Sequence, residues 1–220
     1  MPERITAVIF DMDGVLIDSS SAHLESWRRL AADLGSGITE KKFRETFGRQ
    51  NRDIIPLLFG GSMDERRVEE LSETKERYYR DLVKGDVPAL PGAADLVRNC
   101  HAAGLRLAVG SSGHPENIAM ALRALGVDGL IECVVSGKDV TIGKPDPQVF
   151  LMAAERIGVS ASSCVVIEDA PAGVDAALAA GMVVIGVTTG HPRERLARAH
   201  LVVDGLNELD PQRIRDSAQA

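Results

Sequence analysis

The sequence predicts an α/β protein: a doubly wound parallel sheet, interrupted just after its first strand by a small α-helical domain. Three observations predict it. Short continuous apolar runs alternate with helical stretches after Pro88, no convincing strand interrupts residues 19–85, and most of the apolar runs end in polar residues. Continuous apolar runs suit strands covered on both faces, and strands alternating with helices imply right-handed crossovers in a parallel sheet.

Residues 5–10 (Ile-Thr-Ala-Val-Ile-Phe) form the first run and lead into Asp11-Met12-Asp13-Gly14. From Ser19 the texture turns helical. Ser19, Ser20 and Ser21 offer N-cap hydroxyls, His23, Trp27, Leu30 and Leu34 share one stripe, and Gly35 closes it. Val68, Leu71, Tyr78 and Leu82 recur at similar spacing among charges. After the turn at Pro91-Gly92, strands are expected at 105–110, 132–136, 164–168, 182–187 and 200–204, and helices at 93–103, 115–125, 147–157 and 171–180. The expected organisation is a core of residues 1–15 and 88–220 with a helical cap of residues 16–87. Ligands of such sheets bind beyond the carboxyl ends of the strands, so the insert is expected to lie over that edge.

A chain of 220 residues, 45% hydrophobic and 26% charged, can bury a sizeable core and reads as an ordinary soluble protein. Its net charge of −7 argues against a nucleic-acid partner, and leaves any anionic substrate to a local cation or metal. No apolar run approaches a membrane span, and Met1-Pro2-Glu3-Arg4 runs straight into a strand, so neither a membrane segment nor a signal peptide is expected. Cys100, Cys133 and Cys164 form no C-x-x-C pair and read as buried thiols of a cytoplasmic protein. The expected state is a monomer.

The chemistry is read from the strand ends. The first strand delivers Asp11 and Asp13, the second Ser111, Ser112 and Gly113, and the fourth Glu168 and Asp169; a loop after the third carries Gly143-Lys144-Pro145-Asp146-Pro147. Alternate strand residues share a face, and two close carboxylates repel unless a cation or a shared proton relieves them. These residue types suit phosphoryl transfer, where positioning and charge neutralisation dominate. Mg²⁺ takes oxygen ligands; Asp11 and Asp169 can supply them, with the Asp13 carbonyl and, as a further option, Glu168. Lys144 adds a fixed positive charge, and Ser111 with nearby N–H groups can cradle phosphate oxygens. Asp13, two residues beyond the nucleophile, can protonate a leaving oxygen and later deprotonate water.

In this order, Asp11-Met12-Asp13-Gly14-Val15-Leu16, Val109-Gly110-Ser111-Ser112, Gly143-Lys144-Pro145-Asp146-Pro147 and Ile167-Glu168-Asp169 resemble the motifs of the haloacid dehalogenase superfamily. The insert resembles the helical cap of its β-phosphoglucomutase and sugar-phosphatase subgroup. The resemblance implies a Rossmann-like core, with Asp11 as nucleophile, Asp13 as acid and base, and Ser111 and Lys144 as phosphate holders. It implies Mg²⁺ on Asp11, the Asp13 carbonyl, Glu168 and Asp169. His23 matches the cap-hinge histidine. Arg52, in Phe47-Gly48-Arg49-Gln50-Asn51-Arg52, sits where mutase-like members place a substrate-contacting arginine.

Mutases of that kind follow the motif serine with a serine, lysine and asparagine run that grips a second phosphate. Here Ser112-Gly113-His114-Pro115 offers fewer donors, which tilts the expectation towards an Mg²⁺-dependent phosphatase of a small phosphomonoester, a sugar phosphate, acting through an aspartyl-phosphate. A phosphomutase is the alternative, because Arg49, Arg52 and His114 can still hold a distal phosphate. A phospho-accepting receiver domain is a reading of another class, disfavoured by the helical insert. Asp11 and Asp13 lack the further ligands of an EF-hand. Ser111 and Ser112 also suit simple N-caps, and His101, His191 and His200 show no ligand spacing and read as structural or surface.

Overall fold

The computed structural model describes residues 4–46, 48–60 and 63–219; Phe47 of the cap motif and the first three residues lie outside them. The chain divides into two compact units, Met1–Asp18 with Ala89–Ala220, and Ser19–Pro88.

The larger unit holds six parallel strands: β1 (Ala7–Phe10), β2 (Arg106–Gly110), β3 (Cys133–Val135), β4 (Cys164–Glu168), β5 (Val183–Val187) and β6 (Leu201–Val203). Their order is β3-β2-β1-β4-β5-β6, so β1 lies between the two directions in which the sheet is wound. This is the topological switch point, where open α/β sheets bind their ligands. All four residues of β1 are fully buried, as expected of a central strand under helices on both faces. Register does the rest. Phe10 pairs with Val109 and Ile167, and the N–H of Asp11 donates to the Ile167 carbonyl at 3.0 Å, so Asp11 leaves the sheet beside Glu168.

The helices of this unit are α5 (Ala93–Ala102), α6 (Pro115–Leu125), α7 (Gln148–Arg156), α8 (Pro171–Ala179) and α9 (Pro211–Asp216), numbered after the four of the smaller unit. The sequence expectation stopped at 204. The signal for α9 was nonetheless present in Asp210-Pro211, where Asp210 accepts the N–H groups of Gln212 and Arg213. Residues 16–18 stay with the sheet because Ile17 bridges Asp13 and Ala89, and Leu90 N–H donates to the Leu16 carbonyl. Cys100 and Cys164 are buried, and burial pushes their thiols up to about 12 and about 11, far from reactive thiolates at neutral pH. Cys133, expected to be buried, is only partly so, on the edge strand β3.

The smaller unit is helical: α1 (Ser20–Asp33), α2 (Glu40–Thr46), α3 (Asn51–Phe59) and α4 (Glu65–Val83). Trp27, Leu30, Phe43, Ile54, Ile55 and Leu71 make its core. Two local expectations change. Ser19 stands at the N-cap of α1 in helical conformation and makes no side-chain cap bond. On α4 the buried stripe is Leu71, Ser72, Lys75, Glu76, Tyr79 and Val83, whereas Tyr78 lies half-buried with its hydroxyl on Asp33 Oδ2 at 2.6 Å. Two charged residues, Lys75 and Glu76, lie on the buried face, so a stripe of apolar residues alone does not mark it. Among the described residues no helix is long and apolar enough to cross a membrane.

Candidate active site

Lys144 reaches the carboxyl edge from the loop between β3 and α7. Gln148 ties that loop down, its Oε1 accepting the N–H groups of Thr141 at 2.9 Å and Ile142 at 3.0 Å. The Lys144 ammonium donates to Asp11 Oδ1 at 2.6 Å and to Glu168 Oε1 at 2.8 Å, and lies 4.6 Å from the centroid of the buried Phe150 ring. Glu168 is held in turn. Its Oε2 accepts the N–H groups of Asp169 and Ala170, each at 2.8 Å, and its Oε1 occupies space that a Cβ on Gly173 would fill.

Burial disfavours every charge here, and the three side chains are almost fully shielded. It would lower the Lys144 pKa, but Asp11 and Glu168 outweigh it and hold the ammonium above the usual lysine range. It raises Asp11 to about 7 in spite of Lys144, helped by the negative charges of Glu168 and Asp13. Asp169 is pushed well above its ordinary value, first by burial and then by Glu168 and Asp11. One ammonium does not balance these carboxylates.

That excess decides the fit to a divalent cation. Among the described residues no three His, Cys, Asp or Glu side chains form a ready metal cluster. The donors present are nevertheless all oxygens, which is what a hard cation such as Mg²⁺ takes. Asp11, Asp169 and the Asp13 carbonyl could hold it. Glu168 already accepts three hydrogen bonds and serves first to fix Lys144, so any contribution to a cation comes from its remaining lone pairs.

Asp13 lies close to the loop that follows β2. Ser111 is buried, and its Oγ accepts the Gly113 N–H at 3.1 Å. A Cβ on Gly113 would stand 3.2 Å from that Oγ and 3.5 Å from Asp13 Oδ2, so the glycine lets the loop pass close to the carboxylate. Ser112 is half-buried in the same turn. His114, expected at the substrate, also caps α6: its Nδ1 accepts the Glu116 N–H at 3.3 Å ahead of Pro115.

The smaller unit carries its own buried polar network. The His23 ring stacks on Tyr79 with centroids 4.0 Å apart, and its Nδ1 meets Lys75 Nζ at 2.7 Å. Lys75 donates to Glu76 Oε1 at 2.8 Å and lies 5.2 Å from the Trp27 centroid. Asn51 Nδ2 donates to Glu76 Oε1 at 2.6 Å and to Ser72 Oγ at 2.9 Å. Arg49 and Arg52 are exposed.

Burial alone would lift the Glu76 carboxyl, but Lys75, His23 and the hydrogen bonds from Lys75 and Asn51 hold it at about 2 against an ordinary 4.5. A depressed acid stabilises the fold above its unfolded pKa and loses that stabilisation as pH falls through the folded one. The stability difference between the parent and Glu76→Gln should therefore be about 3 kcal/mol at neutral pH and vanish between roughly pH 4.5 and pH 2. Trp27 is the single tryptophan, so its fluorescence during denaturant unfolding reads this unit. A gap that persists unchanged at pH 2 would show that packing, not charge, accounts for the difference.

Residues 5–181 match the haloacid dehalogenase-like hydrolases. The chain belongs to that family. It is 33% identical over 180 residues to a phosphorylated carbohydrates phosphatase of Thermotoga maritima, covering 80% of this chain and 82% of that protein. It is 31% identical over 210 residues to a β-phosphoglucomutase of Bacillus subtilis, covering 92% and 91%. A solved β-phosphoglucomutase from Clostridium difficile superposes with a TM-score of 0.88 at 29% identity, covering 98% of this chain and 97% of that one. As a haloacid dehalogenase-like hydrolase, the chain has its motif residues on four segments that one parallel sheet brings to one edge. Membership in a hydrolase family also sets aside the receiver-domain reading.

Proposed function

We propose that this chain is a cytoplasmic, monomeric, Mg²⁺-dependent phosphatase of small phosphomonoesters, sugar phosphates foremost. The observation that carries the reading is Lys144, whose ammonium spans Asp11 and Glu168 at the carboxyl edge while Asp13 stands over the Ser111–Gly113 loop. The phosphatase relative of Thermotoga maritima supports the substrate class.

In this reading an Asp11 carboxylate oxygen attacks phosphorus. The bond from phosphorus to the leaving oxygen breaks, and Asp13 donates its proton to that oxygen. Asp13 then takes a proton from water, the water oxygen attacks phosphorus, and the bond to Asp11 breaks. Alcohol and inorganic phosphate leave, and both carboxyls regain their starting states. Lys144 neutralises the anions and keeps Asp11 in one orientation; Ser111 and its loop N–H groups face the phosphoryl oxygens. Bound Mg²⁺ would supply the positive charge that lets a carboxylate approach a phosphate dianion. By the resemblance, His23, Arg49 and Arg52, and likewise Ser112, Gly113 and His114, serve substrate choice. Ser112-Gly113-His114-Pro115 offers fewer donors than the serine, lysine and asparagine run of the mutases, which favours hydrolysis over phosphate transfer within the sugar.

Phosphate release from a panel containing glucose 1-phosphate, fructose 1-phosphate and a hexose bisphosphate, in Mg²⁺ and in EDTA, tests the reading. Mg²⁺-dependent release is the expected result. Conversion of glucose 1-phosphate to glucose 6-phosphate, dependent on a trace of bisphosphate and almost without free phosphate, would make the chain a mutase like its Bacillus subtilis relative.

A further inference from the structure

Thr189-Gly190-His191 follows β5 and takes part in none of the motifs; His191 read from the sequence as a structural or surface histidine. We infer that this tripeptide is a strap that positions Asp169 and the Gly14 turn for cation binding, an inference that rests on the phosphatase reading of the site. Three contacts carry it. Thr189 Oγ1 donates to the carbonyl of Gly14. His191 Nδ1 lies 3.2 Å from the carbonyl of Asp169, which can only accept, so the ring nitrogen is the donor. Between these two anchors, a Cβ on Gly190 would overlap Asp169 Oδ2 and stand 3.0 Å from its Cγ.

The slot has a second wall. A Cβ on Gly14 would run into the same Asp169 oxygen, so the carboxylate is clasped between two glycines. Gly14 has φ +79° and is needed for its turn as well. Gly190 has no positive φ, so alanine is conformationally ordinary there and only the shortage of space forbids it. Gly181, with nothing within 4 Å of its Cβ position, shows the contrast.

A carboxylate held in one rotamer by its neighbours is a pre-ordered ligand, and groups that orient metal ligands in this way tune affinity by roughly 10–100-fold. Thr189 and Gly190 are exposed on their outer side, so substitutions there leave the apolar core untouched. The strap is a positioning element: it acts on Asp169 and Gly14 and touches no substrate.

Calorimetric titration of Mg²⁺ into the full chain, stripped with EDTA and dialysed, tests this. Gly190→Ala and Thr189→Val should each weaken Mg²⁺ binding about tenfold. Thr189→Ser, which keeps the hydroxyl, should bind like the parent, and both Thr189 variants should melt like the parent in EDTA. Parental Mg²⁺ affinity in both Gly190→Ala and Thr189→Val overturns the strap. A parent chain that neither binds Mg²⁺ nor releases phosphate overturns the phosphatase reading, and the strap with it.

Discussion

Asp11→Asn should abolish Mg²⁺-dependent phosphate release while leaving the chain at least as stable as its parent. The two effects have one physical source. Asparagine keeps the shape of aspartate, and its Oδ1 can still accept from Lys144, which lies 2.6 Å from that atom in the parent. What it lacks is the anionic oxygen that attacks phosphorus. Removing the nucleophile of a covalent mechanism costs on the order of 10⁴-fold or more in rate. The buried site gains from the same change, because burial and the charges of Glu168 and Asp13 oppose the ionised Asp11 and lift its pKa to about 7. Single-turnover phosphate release and thermal unfolding in EDTA check both halves. Turnover within tenfold of the parent would remove Asp11 from the reaction. Lost activity with a collapsed melting temperature would instead mean that Asp11 is needed for folding.

How far the site could be read in the sequence depended on distance along the chain. Strand ends announce themselves, because an apolar run that stops at Asp11, Ser111 or Glu168 places a polar group at a sheet edge whatever the register. The α/β order followed from the same runs, and Cys164–Glu168 and Pro115–Leu125 fall where the pattern set them. Lys144 was visible as a lysine in a stiff loop. Its bridge to Asp11, 133 residues away, was not, because only strand order brings the two together. Lys75 and Glu76 escaped for a different reason: a stripe counted in apolar residues passes over a buried ion pair, and so it settled on Tyr78 instead of Tyr79. The bond from the Glu116 N–H to His114 Nδ1 is local, but histidine is an uncommon cap residue and its sequence reading did not include that role. No spacing rule relates Thr189 to Gly14 or His191 to Asp169, since these contacts arise from the packing of loops far apart in the chain.

Lys144→Met should give the largest loss of stability of any single change at the carboxyl edge. Methionine fills nearly the same volume over Phe150, so packing is kept and only the ammonium goes. Asp11 and Glu168 then lose their shared cation in the interior, with side chains 8% and 2% exposed, and must stay charged without it or take up a proton on folding. Orphaning one side of a buried ion pair destabilises by about 3–5 kcal/mol, which for a chain of this size lowers the melting temperature by roughly 10 °C. Measured in EDTA, the drop reflects the protein's own charges alone. Lys144→Met combined with Glu168→Gln should recover part of it, because an amide in place of the orphaned carboxylate still accepts from Asp169 and Ala170 through its carbonyl oxygen. A single variant that melts like the parent, or a double variant no better than the single, would show that Lys144 is not what holds these carboxylates. Neither variant should turn over substrate, because the ammonium that makes two buried anions tolerable is also the one that orients Asp11 for attack.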